Sequence, residues 1–254
     1  MQRISAGTIH FSELDERIRS CADSDIIVDD CTGQRYIASG LSGKRISVSG
    51  IPGNALGSYL DGCDITVNGN VQDATGDTMN GGTIVVHGNA GDATGYAMRG
   101  GGIYVRGNTG YRAGIHMKAF KEQQPAVVIG GKAGSFLGEY QAGGTIIVLD
   151  LEPPKTVDGK RVLGSPAERP ITGAFCATGM HGGAIYLRTD TPPQLPSQIM
   201  IDTAKGKNIP EIAAYIDRFC EYFPDVNKSR ILSSTFCILK ANTKNPYKQM
   251  YTHN

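Results

Sequence analysis

Residues 67–86 read VNGNVQDATGDTMNGGTIVV, and residues 86–105 read VHGNAGDATGYAMRGGGIYV. The text recurs after 19 residues, with DATG identical in both copies. A fixed period of this length marks a repeat architecture. With Gly50 as a phase mark, Gly69, Gly88 and Gly107 follow at steps of 19, and Gly131 follows after 24, five residues being inserted near Lys121–Pro125. Three residues past each mark stand Gly53, Gln72, Gly91, Gly110 and Gly134; seven past stand Gly57, Gly76, Gly95, Gly114 and Gly138. Twelve past stand Gly62, Gly81, Gly100, Ala119 and Gly143. A further copy, Pro170, Gly173, Ala177 and Gly182, is displaced by 20 extra residues in LEPPKTVDGKRVLGSPAERP, 151–170.

Just before each mark lies a strand signal. The residues four and two before it are Ile46/Val48, Ile65/Val67, Ile84/Val86, Ile103/Val105, Val127/Ile129, Ile146/Val148 and Ile185/Leu187, all aliphatic. Alternation at period two puts both members of a pair on one face. A 19-residue unit has no room for a helix, its turns and a strand. Folded as short strands, each unit can lie on the one before at the strand spacing of about 4.8 Å. The glycines then fall where the chain turns with positive φ or where backbone packs against backbone. The pattern predicts an all-β parallel β-helix of about seven turns. Ten residues past each mark, Leu60, Met79, Met98, Met117, Gln141 and Met180 form one further column, read as core filling by flexible side chains. Leucine-rich repeats need Leu at fixed sites, a column that is missing, and a left-handed hexapeptide coil needs a sub-period of six that the spacing does not divide into.

Composition agrees. The 34 glycines among 254 residues exceed ordinary usage of roughly 7%, yet Ile and Val abound, which excludes a flexible linker. The net charge of +1 implies no nucleic-acid or acidic-membrane partner. The start MQRISAGTIHFSELDE has no basic, then apolar, leader pattern, and no run approaches the roughly 18 apolar residues of a membrane span; a cytoplasmic protein is expected. Cys21, Cys31, Cys63, Cys176, Cys220 and Cys237 form no CxxC pair, so they are expected reduced.

Three segments follow: an N-terminal helix and strand cap at 1–40, the Gly-repeat β-helix at 41–190, and a C-terminal helix and tail at 191–254. In the first, SELDERIRSCA reads as a helix capped by Ser12, with Leu14, Ile18 and Cys21 on one face, and IIVDD as a strand leading into the coil. In the last, IPEIAAYIDRFCEYF reads as an amphipathic helix with Pro210 in its first turn and Ile212, Ile216, Phe219 and Phe223 as its stripe. The tail SSTFCILKANTKNPYKQMYTHN is polar with spaced aromatics Phe236, Tyr247 and Tyr251. The outward residues three before each mark run Ser47, Thr66, Val85, Tyr104, Val128, Ile147 and Tyr186. The face becomes apolar along the stack, so either the C-terminal segment or a partner subunit covers its later repeats.

No catalytic, cofactor or metal site is expected in this chain. The histidines His10, His87, His116, His181 and His253 show no i, i+4 pair on a helix. Cys176 and His181 are close in sequence, but Cys176 shares a packing column with Leu56, Ala113 and Leu137. Asp73 and Asp92 stack at one phase; they are read as Asx turn residues rather than an acid–base pair. The glycines do not open a helix after a single strand, as a dinucleotide fingerprint requires. Arg99, Arg106, Arg112 and Lys118 make a basic cluster on adjacent repeats, either a solvated face or a docking patch for an acidic partner.

The strings TMNGGTIVVHGNAGDATGYAMRGG, GNTGYRAGIHMK, GKAGSFLGEYQAGGTIIVL, TGMHGG and NPYKQMY resemble the GXGXG domain of the glutamate synthase large subunit, in its free-standing split form. The resemblance runs from about Leu14 to Tyr251, with Gln72 and Gln141 as departures. It implies a right-handed coil and a non-catalytic role within an oxidoreductase of nitrogen metabolism that moves the glutamine amide to 2-oxoglutarate, giving glutamate. It also implies a glutaminase (amidotransferase) subunit and an FMN-binding, iron–sulfur synthase subunit as partners, those cofactors lying on the partners; a homo-oligomer is a further expectation. The β-helical subunit of formylmethanofuran dehydrogenase is similar to the same repeat and stands as the alternative. A self-sufficient β-helix enzyme acting on polysaccharide is the third reading.

Overall fold

The computed structural model describes residues 1–152 and 169–242. Most of the 151–170 stretch, the NPYKQMY tail with Tyr247 and Tyr251, and His253 lie outside the described residues. The rest is mostly β, built on one eleven-stranded, mostly parallel sheet in which strands neighbour one another in chain order from β1 to β9. These are β1 Gln2–Ser5, β2 Asp25–Thr32, β3 Arg45–Ile51, β4 Asp61–Asn68, β5 Gly81–Val86, β6 Gly102–Val105, β7 Ala126–Ile129, β8 Ala142–Val148 and β9 Gly182–Leu187. The register follows the repeat: Ile46 pairs Ile65, Ile65 pairs Ile84, Ile84 pairs Ile103, Ile103 pairs Val127, Val127 pairs Ile146 and Ile146 pairs Ile185. All fourteen residues of the seven aliphatic pairs are 2% exposed or less. Each such burial is worth about 1.5–3 kcal/mol before the opposing chain entropy is counted. Leu60, Met79, Met98, Met117, Gln141 and Met180 are fully buried in the same interior. Gln141 Nε2 donates to the carbonyls of Gly143 and Gly144, which is how an amide is tolerated in that column.

The loops between strands are stacked as regularly as the strands. Residues five, seven and nine past each mark have left-handed backbone: Ala74 (φ 57), Gly76 (φ 71) and Thr78 (φ 52), then Ala93 (φ 54), Gly95 (φ 73) and Ala97 (φ 50). This alternation points successive N–H groups up and down the stack. Ala93 donates to the Tyr111 carbonyl above, Gly95 to the Thr75 carbonyl below, and Ala97 to the Ile115 carbonyl above, at 2.7–2.9 Å. Buried loop amides thus find partners without a strand. The same pattern occurs one repeat earlier than the first glycine mark, with Tyr36 (φ 60), Ala38 (φ 61) and Gly40 (φ 62), and β2 pairs in parallel with β3. Strand stacking begins earlier still, since β1 pairs in parallel with β2, and the left-handed loop pattern is already present at 36–40, where Cys31, Gln34 and Ala38 stand in the phase of the motif glycines.

The column seven past the mark shows why glycine is required. At Gly76, Gly95 and Gly114 the backbone is left-handed and a Cβ would enter the core against Ile103, Val127 and Ile146 respectively. Ala177 holds this position in the last repeat with φ 59. Beyond it no parallel strand follows, because β9 pairs antiparallel with the next strand.

Both ends are closed by chain that carries no repeat. At the start, α1 Phe11–Ser20 buries Leu14 and Ile18. Its N-cap is His10, whose Nδ1 accepts from the Ser12 backbone N–H at 3.4 Å; Ser12 sits inside the first turn because the helix starts earlier than its sequence signal. At the far end, β10 Ile199–Lys205 and β11 Thr235–Ala241 form an antiparallel pair, with β11 against β9. The tail is therefore not polar chain throughout. Its TFCILKA portion buries Phe236, Cys237 and Leu239 and pairs the edge that β9 would leave open. Between them α2 Pro210–Tyr222 has Pro210 in its first turn and buries Ile212, Ile216 and Phe219, and α3 Lys228–Ser233 is capped by the Asn227 side chain.

We expect Gly95→Val to destabilise the protein by at least about 3 kcal/mol, since it combines a β-branched residue at positive φ with overpacking. Thermal unfolding of the variant checks this; melting within a few degrees of wild type would contradict the placement of the column.

Candidate functional site

Two faces were open to a partner on sequence grounds, and the structure separates them. The outward apolar face is occupied by the chain itself. Val85, Tyr104, Val128, Ile147 and Tyr186 pack with Ile212, Ile216, Phe219, Phe223, Ile231 and Phe236 in one buried cluster. Tyr104 meets Tyr222 edge-on at 5.0 Å, and His87 meets Phe223 edge-on at 5.2 Å. Of the two possible coverings, the C-terminal segment is the one present.

Arg106 belongs to this seam and not to an exposed patch. It is 7% exposed, its Nη2 lies 2.7 Å from Asp225 Oδ2, and its Nη1 donates to the Glu152 carbonyl at 3.0 Å. Its position next to the outward column placed it under the C-terminal segment, and a carboxylate 119 residues away completes it. The other three basic residues are exposed. Arg99 and Lys118 occupy one column on neighbouring repeats, joined through the Lys118 N–H to the Met98 carbonyl at 2.9 Å. Arg112 lies elsewhere, on the left-handed loops. Its guanidinium sits 4.7 Å over the Phe136 ring and 3.4 Å from Glu139 Oε2.

Around Arg112 the loops carry aromatic side chains that sequence reading missed. Phe136 stacks on Phe175 at 4.9 Å, and His116 stacks on Tyr140 at 5.1 Å, with Tyr96 edge-on to His116 at 5.9 Å. Phe175 is 60% exposed and Tyr111 53% exposed. The signal was available in the column five past each mark, which ends Arg112, Phe136, Phe175 after a run of alanines.

The stacked carboxylates Asp73 and Asp92 are engaged in holding repeats together. Asp73 Oδ1 accepts from the Asp92 N–H, and Asp92 Oδ1 from the Tyr111 N–H, each at 2.8 Å. Asn70, Asn89 and Asn108 do the same one column away, accepting from the N–H groups of Asn89, Asn108 and Lys132 at 2.8 Å. The preceding glycines make the room: a Cβ on Gly88, Gly107, Gly91 or Gly110 would collide with these side-chain oxygens. Burial pushes the Cys176 thiol up to about 12, against a smaller opposing effect of a Thr172 hydrogen bond. A neutral thiol is neither nucleophile nor metal ligand at neutral pH. Among the described residues no group of three His, Cys, Asp or Glu gathers as a metal site, so iron–sulfur ligation finds no matching donor set there. Among them, too, no helix is long and apolar enough to cross a membrane.

The chain matches the family described as GXGXG motif over residues 19–243. It is also similar to the uncharacterized protein MJ1350 of Methanocaldococcus jannaschii, 40% identical over 98% of this chain and 95% of that protein.

Burial of two neutral acids sets a pH dependence. Tyr186, like Cys176, is pushed up to about 12 by burial, with the Glu211 carboxylate adding to it. Unfolded, both groups would lose protons near their ordinary values of 9.0 and 10.0. Between those values and about 12 the unfolded chain binds fewer protons, so stability falls as pH rises. Denaturant midpoints should hold below pH about 8.5 and decline above about 9, with Cys176 unreactive to thiol reagents until the chain unfolds. A midpoint that rises through this window would contradict the burial of both groups.

Proposed function

The chain belongs to the GXGXG-motif family, and from that premise we propose that it winds as a right-handed parallel β-helix of about seven turns and serves as a non-catalytic structural subunit of a glutamate-synthase-type complex. In this reading a glutaminase chain releases ammonia from glutamine, and a separate FMN and iron–sulfur chain reduces the 2-oxoglutarate-derived imine to glutamate. This chain holds the two in register. The observation that carries the reading is the fate of the polar residues that repeat. Asp73, Asp92, Asn70, Asn89 and Asn108 each accept a backbone N–H of the next repeat, so the regular polar columns serve the stack itself. A stack fastened in this way is stiff, and stiffness suits a spacer between two active sites that must keep their separation. The exposed column of Arg99 and Lys118 is the surface offered to an acidic partner. FMN and the iron–sulfur cluster are assigned to the partner chains, and no step is assigned to residues of this one.

The test is a native affinity purification from the source cell, with co-purifying chains identified by mass spectrometry and the isolated protein assayed alone. We expect a class II glutaminase and an FMN/iron–sulfur protein to co-purify, and the isolated chain to turn over nothing. Recovery of a molybdenum- or tungsten-dependent dehydrogenase would replace this reading with the formylmethanofuran dehydrogenase one. Turnover of a polysaccharide by the isolated chain would overturn both.

A further inference from the structure

The left-handed loops carry, five residues past successive marks, Tyr36, Ala55, Ala74, Ala93, Arg112, Phe136 and Phe175. All seven have φ between 54 and 64, so their Cβ atoms repeat in equivalent directions; Tyr36, Arg112 and Phe175 are exposed, Ala74, Ala93 and Phe136 half-buried, and Ala55 lies buried beneath the surface. The column is graded: a large ring, three alanines, then an arginine and two rings. Reversed end for end about Ala93, it complements itself. Phe175 then falls opposite Tyr36, Phe136 opposite Ala55, and Arg112 opposite Ala74. Large side chains meet small ones at two of the three pairs, and two rings meet at the third.

The charges reverse in the same sense. Ala74 is flanked by Asp73, which is exposed, and by Asp77, which is half-buried and whose N–H donates to the Ala74 carbonyl at 3.1 Å. Arg112 is exposed and held over Phe136, with one carboxylate, Glu139, at 3.4 Å. A guanidinium has five donors, so that single contact leaves most of them free for a second acid. Asp92 would lie on the reversal axis, one repeat from the Arg112 of either copy, which supplies its counter-charge. Six repeat steps at about 4.8 Å make the column about 29 Å long, close to the edge of a square patch of the ~800 Å² that one partner contributes to a standard interface. Exposed Phe, Tyr and Arg in one patch are the residue types on which interface energy concentrates.

We propose that this loop face is a two-fold interface between two copies of the chain, packed antiparallel with the axis at Ala93 and with Arg112 of each copy set between Asp73 and Asp77 of the other. An isologous contact of this kind closes on itself and gives a dimer rather than a filament. It leaves the Arg99 and Lys118 column for other chains.

The experiment is sedimentation equilibrium of the full chain, alone, with two charge reversals. Arg112→Glu removes one side of the contact. Asp77→Lys removes the other and spares Asp73, whose carboxylate also accepts the Asp92 N–H. The wild type should be a dimer, and each variant should raise the dimer dissociation constant by about tenfold or more. An equimolar mixture of the two variants should recover the dimer. The introduced glutamate of one copy then meets the introduced lysine of the other, while native Asp77 meets native Arg112. Unchanged far-UV circular dichroism shows that the variants fold, and Arg112→Ser with Phe136→Ser serves the same purpose should a reversal fail to fold. A monomeric wild type, variants that dimerise as the wild type does, or a mixture that stays monomeric would each overturn the proposal.

Discussion

The structure depends on backbone hydrogen bonds between equivalent loop positions of successive repeats. Strands stack readily, because every strand offers donors and acceptors along both edges. Loops do not, and a stack of strands joined by ordinary loops would leave buried amides without partners. Here left-handed residues at alternating positions turn successive N–H groups toward the repeats above and below, as with Ala93, Gly95 and Ala97. Loops and strands then rise by the same step. Everything else follows from that equality of step: the interior aliphatic columns, the side-chain ladders, and the outer face flat enough for α2.

Glycine enters this arrangement for two distinct reasons. At Gly95 the side chain is missing because the backbone is left-handed and the Cβ would point into Val127. At Gly88 and Gly107 φ is ordinary, and the side chain is missing because Asn70 and Asn89 of the preceding repeats lie in the space it would fill. The motif therefore couples a glycine to an Asx residue one repeat earlier. That coupling accounts for the GN and GD pairs in the sequence, and it explains why the stacked carboxylates Asp73 and Asp92 have a structural use.

What repeats was legible in the sequence, because each column was sampled several times. The aliphatic pairs, the Met column and the stripe of α2 could be read from spacing alone. The stripe of α2 occurs once but has its own helical period; pairings between distant single segments have no such signal. β10 and β11 are single segments whose pairing is fixed by the open edge of β9, a fact of tertiary structure that TFCILKA does not carry by itself. Arg106 looked like one charge of a basic cluster; its burial depends on Asp225, far along the chain. His10 displaced Ser12 as the helix cap because both are candidates within one turn and the helix starts at Phe11. The aromatic loop column was visible in phase, but aromatic residues suggest core, and the exposure of Tyr36 and Phe175 is a fact of the folded loops.

The stack has separate faces, one covered by its own C-terminal segment and others open. The scaffold role proposed above requires the loops to be as well fastened as the strands. Native-state hydrogen exchange, read amide by amide, tests that most directly. The N–H groups of Gly76, Gly95, Gly114, Asn89 and Asn108 should exchange as slowly as those of Ile84 and Ile103 in the central strands, opening only with the whole stack. Loop amides that exchange orders of magnitude faster than the strands would contradict the account, leaving a sheet with mobile connections in place of a continuous hydrogen-bonded stack.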